Sequence, residues 1–186
     1  MGQLFLLIGP SGSGKTTLAQ DLRKFDPSIQ KVLSATTRSP RKNEINGKDY
    51  LFASKGEFAA LLFEHKLLEC EEVHGNFYGM LTESIDSIIS SKNIGISVID
   101  PMGGLKMKQR NPYTVTTIFV SPAGTSELER RLLLRASESD MEIITRLERA
   151  RFEMKLAGLC DYQIFSTSIE NDLALLKSIA QSKIIT

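Results

Sequence analysis

Apolar residues along the chain fall into short runs separated by longer amphipathic stretches. Leu4-Phe5-Leu6-Leu7-Ile8 is continuously apolar and stops at a glycine, the pattern of a central strand covered on both faces of a parallel sheet. Residues 16–24 read as a helix with Leu18 and Leu22 on one face. Further strands are predicted over 31–34, over 94–99 ending at Asp100-Pro101, over 115–120 ending at Ser121-Pro122, and over 162–165. Helical patterns occupy 83–90, 126–135, 140–156 and 169–180. Strands alternating with helices predict an α/β fold with a mainly parallel sheet and flanking helices.

Residues 35–80 break that rhythm. The segment Ser34-Ala35-Thr36-Thr37-Arg38-Ser39-Pro40-Arg41 is polar and basic. A turn at Asn46-Gly47, a short strand over 50–53, a helix over 57–66, a strand over 67–73 and a turn at Gly75-Asn76 follow. On that last strand Glu69, Glu71 and Val73 share a face, because alternate residues do. The stretch reads as a small mixed α+β insertion in an α/β core, too short to fold alone.

Composition narrows the classes. A length of 186 residues is about one domain. The 41% hydrophobic and 24% charged fractions are those of a globular protein. Lys plus Arg (23) nearly cancel Asp plus Glu (22), leaving a net charge of +1, which argues against whole-surface attraction to nucleic acid or an anionic membrane. Two distant cysteines, Cys70 and Cys160, offer neither a disulfide framework nor a zinc spacing, and a reducing compartment is the natural reading. The run at residues 4–8 is far too short to span a bilayer and has no basic leader. The chain is read as complete and cytoplasmic.

Gly9-Pro10-Ser11-Gly12-Ser13-Gly14-Lys15-Thr16 fits G-x-x-x-x-G-K-[ST], with an apolar strand before it and the helix that runs from Thr16 through Thr17 after it. Such a loop turns backbone N–H groups inward and adds a helix N-terminus, making an anion site. Lys15 is expected to reach the β- and γ-phosphates of a nucleoside triphosphate and the Thr16 hydroxyl to bind magnesium. On the acceptor side, Arg38 and Arg41 can clamp a phosphate with forked hydrogen bonds. Tyr50 and Tyr78 add hydroxyl donors, and a buried carboxylate on the 67–73 strand suits a base with adjacent N–H donors, such as guanine.

Nearly end to end, the chain resembles the guanylate kinases. The resemblance rests on the phosphate loop, Ser34-Ala-Thr-Thr-Arg-Ser-Pro-Arg41, Gly47-Lys-Asp-Tyr50, Leu68-Glu69 and Glu72-Val-His-Gly-Asn-Phe-Tyr-Gly79, then Glu129-Arg-Arg-Leu132, Arg135, Arg146-Leu147 and Asp161-Tyr162. It implies a P-loop NTPase-type sheet and ATP-dependent phosphorylation of GMP, and of dGMP, with Mg2+ accompanying ATP. Three parts are expected: a core (1–34, 81–125 and 150–186), a GMP-binding subdomain (35–80) and a helical lid (about 126–149). By resemblance, residues 9–17 bind ATP, while Arg38, Arg41, Tyr50 and Tyr78 hold the GMP phosphate. Ser34, Glu69 and Asp100 lie on the guanosine side. Lys15, Arg38, Arg131, Arg135 and Arg146 act in transfer. His74 is taken as structural, since a phosphate acceptor is already an anion and needs no base. The implied partners are ATP and GMP, without nucleic acid or membrane, in a monomer or homodimer.

The chain departs from the family pattern in places. Met80 stands where a Ser or Thr contacts the guanine ring, so Met80→Ser is expected to improve GMP turnover if it opens no cavity. Val98 and Met102 replace the first Asp and the Gln of D-x-D-x-Q-G, and Ser166 replaces an Asn near the adenine. Ala136 and Ser137 stand where a Gly commonly follows the lid arginine. Two other readings are a kinase for another nucleoside monophosphate and a guanylate-kinase-like protein-interaction module. The latter typically lacks an intact phosphate loop.

Overall fold

The computed structural model describes residues 2–73, 75–122, 124, 126–127, 130 and 140–184. Strand β1 (Gln3–Ile8) is flanked by β7 (Ile94–Val98) and β8 (Val115–Pro122), with β2 (Gln30–Lys31) and β9 (Tyr162–Ser166) at the edges. All four pairings are parallel. Around this sheet run α1 (Lys15–Phe25), α3 (Thr82–Ser90), α4 (Pro101–Arg110), α5 (Asp140–Lys155) and α6 (Ile169–Ile184). Among the described residues no helix is long and apolar enough to cross a membrane.

The unbroken apolar run of β1 is explained by what covers it. Leu4, Leu6 and Ile8 join a cluster with Ile85 and Ile88 of α3 and Met107 of α4. Phe5 and Leu7 point the other way, to Leu18 and Leu22 of α1 and Leu176 and Ala180 of α6. Period-two alternation thus feeds two cores from one strand. Gly9, with φ +134°, ends the strand where β8 comes closest. A Cβ there would lie 2.2 Å from the Val120 carbonyl oxygen, so no other residue type fits.

The predicted strand over 31–34 is two strands in two sheets. Lys31 still pairs with Ile96 of the central sheet, whereas β3 (Ser34–Thr36) pairs parallel with β4 (Leu51–Phe52) and antiparallel with β6 (Asn76–Met80). With β5 (Glu71–Val73) these make a second, four-stranded sheet, ordered β4-β3-β6-β5. The chain therefore leaves the core at Val32–Leu33, and the insertion begins there. Helix α2 (Lys55–Phe63) starts two residues before its predicted start. A capping box at Ser54 accounts for this: Ser54 Oγ accepts from Glu57 N at 3.2 Å, and Glu57 Oε2 accepts from Ser54 N at 2.7 Å. Phe58 packs with Ala35 and Leu67 to form the insertion's own small core.

Helix α4 and strand β6 have no counterpart in the sequence reading. Two glycines and an initial proline disguise α4. Pro101 is its first residue, where a missing N–H costs nothing. Asp100 caps it, Oδ1 accepting from Met102 N and Gly103 N at 2.9 and 3.2 Å. Of the helix predicted over 126–135, residues 126, 127 and 130 are helical and the others, including Arg131 and Arg135, lie outside the described residues, as does His74.

Met80 pairs with Ser34 across β6 and β3. It is only 1% exposed and packs with Leu4, Val32 and Ile85. Met80 also borders the cleft described below, but at this burial a serine would leave a cavity and a buried hydroxyl. Met80→Ser should cost about 2–5 kcal/mol and lower Tm by on the order of 10 °C, measured by thermal melting. An unchanged Tm would show that this position is not packed as described.

Candidate active site

Between the two sheets lies a cleft of ≈ 370 Å³. One wall is the loop joining β1 to α1, with Gly9, Ser11, Gly12, Gly14, Lys15, Thr16 and Thr17 on its surface. Gly14, at φ 92°, precedes the first turn of α1, so that turn's backbone N–H groups face the cleft without a side-chain cap. Lys15 folds back over the loop. Its Nζ donates to the carbonyls of Gly9 and Pro10 at 2.6 and 2.7 Å and to Ser13 Oγ at 3.3 Å. Pro10 and Ser13 therefore act behind the surface, as holders of the lysine.

The insertion supplies the facing wall, where Ser34, Arg38, Arg41, Tyr50 and Tyr78 all line the cleft. Arg38 is held by a two-pronged pair with Glu44, NH1 to Oε2 and NH2 to Oε1, each 2.9 Å. Glu44 Oε2 also accepts from the Arg41 backbone N at 2.8 Å. Burial pushes the Glu44 carboxyl up, but the bonds from Arg38 and Arg41 outweigh it and hold the group below its ordinary range. The Arg38 guanidinium lies 5.5 Å from the Tyr50 ring centroid, and the Tyr50 and Tyr78 rings meet edge to face at 6.2 Å. Burial raises the Tyr50 hydroxyl pKa, keeping it a donor. Lys31 of β2 donates to the backbone carbonyls of Lys48 and Asp49, tying the Tyr50 loop to the core sheet.

Carboxylates gather in another part of the cleft. Carboxyl oxygens of Glu69, Glu71 and Asp100 lie within 4.8 Å of one another. Lys106 of α4 pairs with Glu71 at 2.9 Å. Glu69 Oε2 and Asp100 Oδ2 are buried without a hydrogen-bond partner among the described residues, which marks a place built for donors from elsewhere. A Cβ on Gly103 would come within 2.8 Å of both oxygens, so the glycine keeps that space open. Burial, then the charges of Asp100 and Glu71, push the Glu69 carboxyl up to about 8, against a smaller opposing pull from Lys106. Burial also raises Asp100. Although β5 begins only at Glu71, Glu69, Glu71 and Val73 do all face the cleft.

Arg146, Arg149 and Glu153 of α5 line the cleft as well. Of the residues singled out from sequence, His74, Glu129, Arg131, Leu132, Arg135, Ala136 and Ser137 lie outside the described residues. Val98 lines the cleft with a hydrocarbon surface, while Ser166 pairs with Pro122 at the end of β9. Glu44 was missed although it lies only three residues beyond Arg41. A lone Glu in a polar loop gives no pattern until the arginine it holds is seen. Cys70 and Cys160 are free thiols packed against hydrophobic clusters.

A cleft that presents cations from both walls and keeps unpartnered carboxylates beside them is suited to moving a phosphoryl group between two nucleotides. Its class is therefore a P-loop nucleotide phosphotransferase. The comparisons agree and go further. The family model described as guanylate kinase matches residues 1–183. A guanylate kinase from Chlamydia caviae is 39% identical over 178 residues, 95% of this chain and 86% of that protein. Another from Anaeromyxobacter dehalogenans is 39% identical over 181 residues, 97% and 80% of the two chains. The crystal structure of guanylate kinase from Anaplasma phagocytophilum superposes with a TM-score of 0.83 at 30% identity, covering 100% of this chain and 87% of that one. The chain belongs to the guanylate kinase family, and these matches favour the enzyme that phosphorylates GMP with ATP over the alternative readings.

The raised Glu69 carboxyl links stability to pH. Between about 4.5 and 8 the folded protein holds a proton there that the unfolded chain releases, so stability falls as pH rises through that window. Asp100 and Glu71 face the group with like charge, and Lys106 opposes them. Glu69→Gln should therefore raise Tm at pH 8.5 and leave it nearly unchanged at pH 5, where Gln resembles the protonated acid. Equal effects at both pH values would contradict this.

Proposed function

We propose that ATP and GMP meet in this cleft with their phosphates between Lys15 and the pair Arg38–Arg41. The observation that carries the reading is the loop lysine and the insertion's arginines lining one cleft. ATP lies along residues 9–17, its phosphates on the backbone N–H groups at the start of α1. Lys15 exchanges the Gly9 and Pro10 carbonyls for phosphate oxygens. Arg38, Arg41, Tyr50 and Tyr78 hold the GMP phosphate, with Glu44 holding the Arg38 guanidinium and the Arg41 backbone.

Guanine's N1–H and amine satisfy the buried oxygens of Glu69 and Asp100, with Ser34 on the nucleoside side. Adenine has no proton on N1 and leaves a carboxylate oxygen unpaired, which is costly in a buried site. The same contacts serve dGMP, since none depends on the 2′-hydroxyl. A phosphate oxygen of GMP attacks the γ-phosphorus. The bond to the β,γ-bridging oxygen breaks, and ADP leaves with that electron pair. The acceptor is already an anion, so no base is required. Charge on the transferring group is met by Lys15, Arg146 and the lid arginines Arg131 and Arg135. The core, the insertion over 35–80 and the lid at about 126–149 move as the three parts of this cycle.

The Thr16 hydroxyl on the cleft is an oxygen donor of the kind that suits a hard divalent cation. Thr16 would hold Mg2+ together with the ATP phosphates, and the ion would supply further neutralisation of phosphate charge.

The test is ADP release measured against GMP, dGMP, IMP, AMP, CMP and UMP, with GMP and dGMP expected to lead. Preference for a base without the N1–H and amine pair would overturn the acceptor assignment. Lys15→Met, which keeps the stem and removes the charge, should lower kcat by about a hundredfold or more with the fold retained by circular dichroism. Activity within threefold of wild type would show that this loop is not the phosphate site.

A further inference from the structure

Helix α5 directs a single stripe at the cleft. Arg146, Arg149, Ala150 and Glu153 follow one another at i, i+3, i+4 and i+7, and all four line it. Arg146 carries a role by family resemblance. Arg149 and Glu153 carry none, yet Glu153 is only 8% exposed, and a glutamate is rarely buried unless it is paired. Its partner is Arg149, Nε to Oε1 at 2.9 Å. Burial pushes the Glu153 carboxyl up, and the charges of Arg149 and Lys15 pull against it, so both cations are near.

Stability does not account for this arrangement. The Arg149 side chain is 38% exposed, and an i,i+4 pair with one partner that open to solvent contributes little. An apolar residue at 153 would serve packing at least as well. What the pair does accomplish is orientation. Glu153 engages Arg149 through Nε, and among the described residues the two terminal nitrogens make no hydrogen bond. They form the part of the guanidinium that matches a phosphate oxygen pair. Ala150, in the same stripe, is 3% exposed, with Leu147 of the same helix packed against it.

We propose that Arg149 is a further catalytic cation that contacts the phosphates during transfer, and that Glu153 is its positioning residue. This rests on the reading of the cleft as the site where ATP meets GMP. Arg149 meets charge on the transferring phosphoryl oxygens from the α5 side, hydrogen-bonded to Glu153 and close enough to Asp100 to feel its charge. Lysine cannot replace it, because a point charge on a flexible stem loses the Nε contact that sets the fork.

The test uses the full chain and the variants Arg149→Ala, Arg149→Lys and Glu153→Gln, with steady-state kinetics in ATP and GMP, thermal melting, and added guanidinium as a chemical rescue. Arg149→Ala should lower kcat by about tenfold or more with KM for GMP within about threefold. Its Tm should stay close to wild type, and millimolar guanidinium should restore part of kcat. Arg149→Lys should remain below half of wild-type kcat. Glu153→Gln should show a smaller fall that guanidinium does not relieve, since the arginine is still present. The proposal is overturned if Arg149→Ala keeps kcat within threefold, or if guanidinium restores nothing. An active wild type with inactive Lys15→Met but unaffected Arg149→Ala removes this inference alone. A wild type that releases no ADP with GMP removes the reading of the cleft as well.

Discussion

Everything in this protein's cleft is arranged around one electrostatic difficulty: several cations must stand ready in one small space before any phosphate arrives to neutralise them. Like charges a few ångströms apart repel strongly where solvent is partly excluded. The structure meets this at Lys15, Arg38 and Arg149 by giving each a local anion or dipole. Lys15 rests on the Gly9 and Pro10 carbonyls. Arg38 is forked onto Glu44, and Arg149 is held by Glu153. The partners lie on three different segments, the phosphate loop, the Arg41–Glu44 loop and α5. Such preorganisation lets the site stabilise charge without rearranging at the moment of reaction.

The carboxylate cluster has the opposite problem and a related answer. Glu69, Glu71 and Asp100 crowd together, and only Glu71 has a cation, Lys106. Glu69 responds by holding its proton to about pH 8, while Asp100 spends one oxygen on capping α4. A nucleotide is negative at its phosphate and offers donors on a guanine edge. A cleft with cations in one part and unpartnered acceptors in another matches that polarity. Both parts exist because the chain leaves the central sheet at Val32–Leu33 to build a second sheet facing the first.

Features carried by consecutive residues were legible in the sequence. The phosphate loop, the apolar run of β1, and the basic segment that opens the insertion all depend on local spacing, and the structure places them as read. The face shared by Glu69, Glu71 and Val73 also survived, even though the strand proved shorter. What escaped were the features set by contacts between distant segments. The split between β2 and β3 depends on which sheet each half pairs with. Helix α4 is hidden by glycines whose smallness serves Ile8 and the two acceptor carboxylates. Met80 read as a position beside the base and does border the cleft, but its packing among Leu4, Val32 and Ile85 is invisible along the chain. Glu44 and Glu153 went unremarked, because their meaning lies in the arginines they hold.

The central claim is that phosphate replaces the local partners now holding Lys15, while the arginines keep theirs. The most direct measurement is a crystal structure with an ATP–GMP bisubstrate analogue. The account predicts Lys15 Nζ withdrawn from the Gly9 and Pro10 carbonyls and bonded to phosphate oxygen, with Arg38 still forked onto Glu44 and Arg149 still on Glu153. Lys15 remaining on the two carbonyls, with the phosphates bound elsewhere, would contradict it.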